Sequence, residues 1–337
     1  MTMSGDNPKV SVCLMTYNGA GTVERALTTL LAQTYRDYEL IISDDHSTDD
    51  TLAICERIVE GHKQVRFIRP ERNLGAYHNM VFSLEHARGK YFVWACQDDW
   101  WEPDFLATLV EVLQRSPGAV CAQGRVRRPS HDGSIERHEV ALTGRNAPER
   151  QTRLQLAASI LGDYSRERGA KIKNSIFMHG MWDRAAFAAA LKAHREIFTN
   201  ERQILCQLAL AGEFRYVDRV LFHKTYYPGI PLKNRRPSTD AATQRVAHMN
   251  RWRELMETLA AIVRSPLVQR RMKPIAVPYI FVTYWLYHGL NAAEMLTKRL
   301  VKHRVRTLRI ILPAPARSAL KWFIRSLRFG AAPGKRG

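Results

Sequence analysis

The sequence predicts an α/β fold, a mostly parallel sheet with helices on both faces, followed by a helical and strongly basic C-terminal region. Three observations lead there. Over the first 126 residues, short apolar runs alternate with stretches whose apolar residues recur every three or four positions. Polar clusters, Thr16–Asn18, Asp44–Asp45, Arg72–Asn79 and Asp98–Asp99, follow those runs. The charge is lopsided: residues 265–337 hold 15 Lys+Arg against one acid, Glu294, a net of +14 out of the chain's +19.

Taken in order, "KVSVCLM" (9–15) reads as a buried strand ended by "TYNG", and Val23, Leu27, Leu30 and Leu31 mark the helix after it. "YELIIS" (38–43) is a second strand closed by "DDHSTDD". Ser47 or Thr48 is placed to cap the next helix, through Leu52, Ile54, Ile58 and Val59. "QVRFIR" (64–69) is a third strand, followed by "PERNLGAYHN" and a helix to about Arg88. "KYFVWA" (90–95) is a fourth, then "CQDDWW", a helix from Pro103 to about Leu113, and a fifth strand, "GAVCAQGRV" (118–126). The pattern loosens from 127 to 175 apart from a helical "LQLAASIL". "AAFAAALKAH" and "ERQILCQLALAG" then read as helices and "FRYVDRVLF" (214–222) as a strand. Parallel strands joined by right-handed crossovers are covered on both faces, and their ligands bind beyond the strands' carboxyl ends. Several polar clusters on that one edge predict a ligand site there.

Hydrophobic residues at 45% and charged residues at 25% place the chain among folded proteins rather than disordered ones. Five scattered cysteines without paired metal-ligand spacing fit thiols in a reducing compartment. The opening "MTMSGDNPKV" has no basic segment before an apolar core, so no signal peptide is expected, and the expected location is cytoplasmic. Residues 274–293 carry no formal charge, long enough to span a bilayer. A span there would export the most basic segment, against the positive-inside preference, so a packed or in-plane helix is expected. Beyond it, Val301, Val305, Leu308 and Leu312 lie beside Lys298, Lys302, Arg306 and Arg309. Leu320, Phe323, Ile324 and Leu327 lie likewise beside Arg317, Lys321, Arg325 and Arg328. Basic amphipathic helices of this kind lie on anionic membranes, which predicts a peripheral position at the cytosolic face. Nucleic acid is not an expected partner, because the first half offers no nucleic-acid motif.

"TYNGAGT" lacks the G-x-G-x-x-G spacing of a dinucleotide fold, and no P-loop lysine motif occurs. A bound phosphate would have its charge met another way. Adjacent Asp98 and Asp99 repel one another unless a cation sits between them, and hard oxygen ligands suit Mg²⁺ or Mn²⁺. The bland reading of each acidic pair is a turn or helix-start residue. The clusters in order favour the functional one.

"VSVCLMTYNGAGTVERALTTLLAQTYRDYELIISDDHSTDDT", "RNLGAYHN", "ARGKYFVWACQDDWWEPDFL" and "NERQILCQLALAGEFRYVDRVLF" resemble the family 2 glycosyltransferases, the inverting GT-A group, from about residue 9 to 225. The resemblance implies a nucleotide-sugar donor on the strand ends. Thr16, Tyr17 and Asn18 would line the nucleoside pocket, and one of Asp44 and Asp45 would bind the base, commonly uracil. Arg72, Asn73, Gly75 and Asn79 would flank ribose and diphosphate. Asp98 would share ribose and metal contacts, with Asp99 and His223 as further metal ligands. The family often has another Asp where this chain has Cys96. Glu201, at the head of "ERQILCQLALAG", matches the catalytic base, and Asn200 before it would cap that helix. Trp100, Trp101 and Trp182 are candidates for stacking on acceptor sugars.

The expected organisation is a catalytic domain over 1–235, its donor half ending near 126 and its acceptor half covering 127–235, and a membrane-associating region over 236–337. The expected function is metal-dependent, inverting transfer from a UDP-sugar or related donor to a saccharide or lipid-linked acceptor, in surface polysaccharide or glycolipid synthesis. The alternatives are a nucleotidyltransferase and a non-catalytic, membrane-associated sugar-nucleotide-binding protein.

Overall fold

The structure, a computed structural model, describes residues 7–129, 136–140, 148–162, 175–194, 201–225 and 251–284. The first half alternates as its periodicity requires. In chain order come β1 (Val10–Thr16), α1 (Val23–Leu31), β2 (Tyr38–Asp44), α2 (Thr51–Val59), β3 (Val65–Ile68), α3 (Ala76–His86) and β4 (Tyr91–Cys96). These strands run parallel in the order β3-β2-β1-β4. All of β2 and nearly all of β1 is buried, as expected of strands covered on both faces. α1 and α2 pack together on one face. The connection from β3 back to β4 reverses direction, so the right-handed rule puts α3 on the other face. There Ser83 accepts from the Cys13 thiol through its carbonyl (3.5 Å), and Asn79 meets Ser43.

Beyond β4 the chain adds β5 (Trp100–Trp101), α4 (Phe105–Gln114), β6 (Ala119–Pro129) and β7 (Glu136–Val140). It continues through α5 (Arg153–Gly162), β8 (Met181–Asp183), α6 (Arg184–Lys192), α7 (Glu201–Ala211) and β9 (Glu213–His223). The full order is β3-β2-β1-β4-β8-β6-β9-β5, with β7 paired to β6. β8 is antiparallel to β4 and β6, whereas β6 and β9 run parallel. Apolar periodicity does not reveal β5, β7 or β8. Two or three residues are too short to show a period, and "ERHEV" in β7 is mostly polar. β6 also runs past the expected end at Val126 to Pro129, held by β7 and β9.

Two local expectations change. Neither Ser47 nor Thr48 caps α2, which begins at Thr51, where the Asp49 carboxylate accepts from the Thr51 amide (3.1 Å). Ser47 turns its hydroxyl to Asp44 instead (2.5 Å). Trp101 and Trp182 are core residues, 2% and 0% exposed, and so present no face to a sugar. Trp182 packs edge-on against Phe187 and Phe214.

One compact unit covers Met1–Tyr284 and a second covers Trp285–Gly337. The first passes the expected boundary at 235. It includes α8 (Arg251–Arg264), whose Leu255, Leu259 and Ile262 are buried, and α9 (273–284). Arg264 ties α8 to the end of α6, donating through Nε to the Ala193 carbonyl (3.1 Å). The tail segments expected to form basic helices, and Asn200, lie outside the described residues. Among the described residues no helix is long and apolar enough to cross a membrane.

Candidate active site at the strand ends

Parallel pairing sets the site. Thr16 pairs with Asp44 and Met15 with Cys96, so β1, β2 and β4 end together and release their polar segments on one edge. Tyr17 and Gln97 lock two of these ends. The Tyr17 amide donates to Gln97 Oε1 (2.9 Å), and Gln97 Nε2 donates to the Tyr17 carbonyl (3.0 Å). Tyr17 as a residue stays 45% exposed at this edge. Asn18 turns the chain with φ 47°, and its side-chain oxygen accepts from the Thr48 amide (2.8 Å).

Asp44 and Asp45 are both buried and have different partners. Asp44 accepts from Thr16 (3.1 Å) and from the Ser47 amide (3.1 Å), with Arg69 Nε at 3.4 Å. Asp45 accepts from the Leu74 amide (2.7 Å) and the Gly75 amide (2.9 Å), which pins the loop before α3. Burial raises the Asp45 pKa, with Asp44 adding to it, against those two amides and His46. Gly75 has φ 79°, a left-handed conformation that strains an L side chain. Asn73 donates to the Asp45 carbonyl (2.7 Å), Arg72 is exposed, and Asn79 is buried with its amide group engaged by Ser43. Asn79 therefore anchors α3 to β2 on the floor of the edge.

The acidic pair after β4 divides. Asp98 keeps a partly exposed side chain, while Asp99 is 1% exposed. Asp99 Oδ1 accepts the Thr225 amide (2.9 Å), and Lys224 Nζ lies 3.6 Å from Oδ2. Oδ2 is buried without a hydrogen-bond partner. Burial pushes the Asp99 carboxyl up to about 6, with Asp98 adding to the rise and Lys224 and the Thr225 amide opposing it. Arg25 braces the loop, donating to the Asp98 carbonyl (3.1 Å) and to Thr225 Oγ1 (3.2 Å), with its guanidinium 3.8 Å over the Trp100 ring.

His223 is not in the group around Asp99. Its imidazole contacts Glu102 (2.7 Å) and stacks on Trp100 with centroids 5.0 Å apart. The residues that gather there are Cys96 and His179: one ligand atom from each of the three lies within 4.8 Å of the others. His179 stacks on Phe222, and burial lowers its pKa well below the usual value, helped by Lys224 and Arg128. A buried Asp99 oxygen with no hydrogen-bond partner, faced by the Lys224 ammonium at 3.6 Å, and a thiol–imidazole–carboxylate donor set fit a divalent ion. Glu201 is the first residue of α7, where the sequence places it; its side chain lies outside the described residues. Sequence reasoning missed Gln97, Arg25, His179, Lys224 and Thr225. Local signals do not reveal a partner about a hundred residues away.

A family model described as Glycosyl transferase family 2 matches residues 11–181. An uncharacterized glycosyltransferase of Haemophilus influenzae is 31% identical over 109 residues, 32% of this chain and 34% of that one. A chondroitin synthase of Escherichia coli is 31% identical over 129 residues, 38% of this chain and 18% of its own length. The chain thus matches about a third or less of the length of these relatives. Among solved structures, S. aureus TarS 1–349 in complex with UDP-GlcNAc superposes with a TM-score of 0.56 at 15% identity, covering 82% of this chain and 72% of that one. That likeness establishes the GT-A type of fold.

Proposed function

Because the chain belongs to glycosyl transferase family 2, we propose that it transfers a sugar, with inversion, from a nucleoside-diphosphate donor to a saccharide or lipid-linked acceptor. The observation that carries this reading is the meeting of Tyr17, the Asp44–Asp45 pair and the Asp98–Asp99 pair on one strand edge. Tyr17 offers its ring to the base, UDP being the expected nucleotide, and Asp44 and Asp45 form the wall beside it. Arg72 and Asn73 stand over the ribose and diphosphate, with Asp98 facing the ribose.

Glu201 accepts the proton of the acceptor hydroxyl as that oxygen attacks the anomeric carbon. The new C–O bond forms on the face opposite the departing diphosphate, so the bond to phosphate oxygen breaks with inversion. A divalent ion held at Asp99 would supply charge neutralisation for the diphosphate. Lys224, within reach of the same carboxylate, adds a positive charge from the chain itself. The basic tail is assigned to an anionic membrane surface, with surface polysaccharide or glycolipid synthesis as the setting.

Calorimetric titration with UDP, GDP, ADP and their sugar conjugates, with and without divalent ions, tests the donor site. Binding of at least one nucleoside diphosphate is expected, and the product's anomeric configuration by NMR should be opposite to the donor's. Failure of every nucleotide to bind removes the donor reading. Retained configuration removes the single displacement.

A further inference from the structure

We propose that Cys96, Asp99 and His179 form a thiolate-containing metal site that prefers ions of the Zn²⁺ or Co²⁺ kind to Mg²⁺. The fold brings the three together. Cys96 is the last residue of β4, and the Asp99 amide turns back to its carbonyl (3.2 Å). β8 runs antiparallel to β4 with Val93 opposite Met181, and His179 closes the short 3-10 turn Ser175–His179 that packs against β4 and leads into β8. Their ligand atoms lie within 4.8 Å of one another. Around a tetrahedral ion such atoms stand about 3.5 Å apart, so binding asks the side chains to close by about an ångström.

Asp99 supplies the independent indication of a ligand. Oδ1 is held by Thr225 while Oδ2 is buried with no hydrogen-bond partner, and a bound cation satisfies that oxygen. Lys224 Nζ forms an ion pair with this oxygen at 3.6 Å, longer than a hydrogen bond, so a metal ion at Oδ2 would have to displace the ammonium. The other four cysteines are buried, which leaves Cys96 as the partly exposed thiol among the described residues. A sulfur–nitrogen–oxygen set differs from the oxygen-rich one expected of Asp98, Asp99 and His223. Thiolate selects against Mg²⁺. Loading balances simply: the ion bonds to sulfur, imidazole nitrogen and carboxylate, the Cys96 thiol proton leaves to solvent, and no electron is transferred. Any role of this ion at a donor phosphate rests on the transferase reading, whereas the site itself does not.

The test uses the full chain, reduced and stripped of metal, titrated with Co²⁺. One equivalent should bring up thiolate-to-cobalt absorption in the near ultraviolet and release a proton. Cys96→Ser should lose that absorption, and His179→Gln should bind Co²⁺ about tenfold or more weakly. Lys224→Met should bind it more tightly. Circular dichroism on each variant checks the fold, and Cys96→Asp should regain binding with a shift toward Mn²⁺, which a misfolded chain cannot do. Absence of the thiolate band in the wild type, its survival in Cys96→Ser, or unchanged affinity in His179→Gln overturns the site. A Co²⁺–thiolate spectrum in a protein that binds no nucleotide would leave this site standing and remove the donor reading. Transfer with Mg²⁺ alone and no thiolate band would do the reverse.

Discussion

Asp99 accepts the backbone amide of Thr225 at 2.9 Å across a sequence separation of 126 residues. This bond joins the acidic loop after β4 to the end of β9. It explains why Asp99 is buried while adjacent Asp98 is partly exposed: one carboxylate is clamped by the far half of the sheet and the other is not. The same clamp sets Lys224 beside Asp99, so the charge balance of the strand-end acidic loop depends on the second half of the domain.

Tyr17→Ala removes an exposed ring whose backbone bonds to Gln97 remain. Loss of one base–aromatic stack is worth about 1–3 kcal/mol. Nucleotide affinity should therefore fall by roughly tenfold or more, with the melting temperature unchanged. Calorimetry and a thermal melt read the two separately. Unchanged affinity would remove Tyr17 from the base pocket.

Glu201→Gln keeps size and hydrogen-bonding capacity and removes basicity. Transfer should slow by about two orders of magnitude or more, with donor affinity retained. Single-turnover rates against donor titrations separate these effects. Near-normal turnover would leave Glu201 with only its place at the start of α7.

At the opposite end of β2 lies Glu39, buried and bonded by Ser11 (2.6 Å), Arg66 (3.0 Å) and Arg88 (2.8 Å). Burial alone would raise its pKa, yet the bonds from Ser11, Arg88 and Arg66 together hold it below the usual value. A depressed carboxylate contributes stability above its unfolded pKa and loses it as pH falls through the folded one. Glu39→Gln should cost roughly 1–3 kcal/mol at neutral pH. The difference from wild type should shrink as pH falls through the lowered folded pKa and vanish once the carboxylate is protonated in both states. Urea midpoints across pH check this, and a gap that persists in acid would contradict the charge argument.

The tail should carry membrane binding. Each Lys or Arg near an anionic surface contributes on the order of 1 kcal/mol, and salt screens that contribution. The full chain should sediment with anionic liposomes, and a chain ending at Tyr284 should not. Changing Arg317, Lys321, Arg325 and Arg328 to Glu should weaken binding strongly, whereas Phe323→Ser should weaken it even in high salt. Equal sedimentation of full and shortened chains would place the contact elsewhere.

Apolar periodicity and polar strand ends were enough to read β1 to β4, their helices and the edge on which Tyr17, Asp44, Asp45, Asp98 and Asp99 meet. These signals are local, and parallel pairing in one direction leaves few arrangements. The side-chain environments were not legible. Asn79 bonds to Ser43, and His223 contacts Glu102 and stacks on Trp100, partners that lie too far along the chain for local patterns to show. Residue type sets what a side chain can bind, and the register of distant strands sets what it meets. The short 3-10 turn Ser175–His179 before β8 brings His179 to Cys96, and the end of β9 brings Lys224 and Thr225 to Asp99. Those contacts are decided by tertiary pairing, because chemistry at a strand end depends on neighbours across the sheet as well as along the chain.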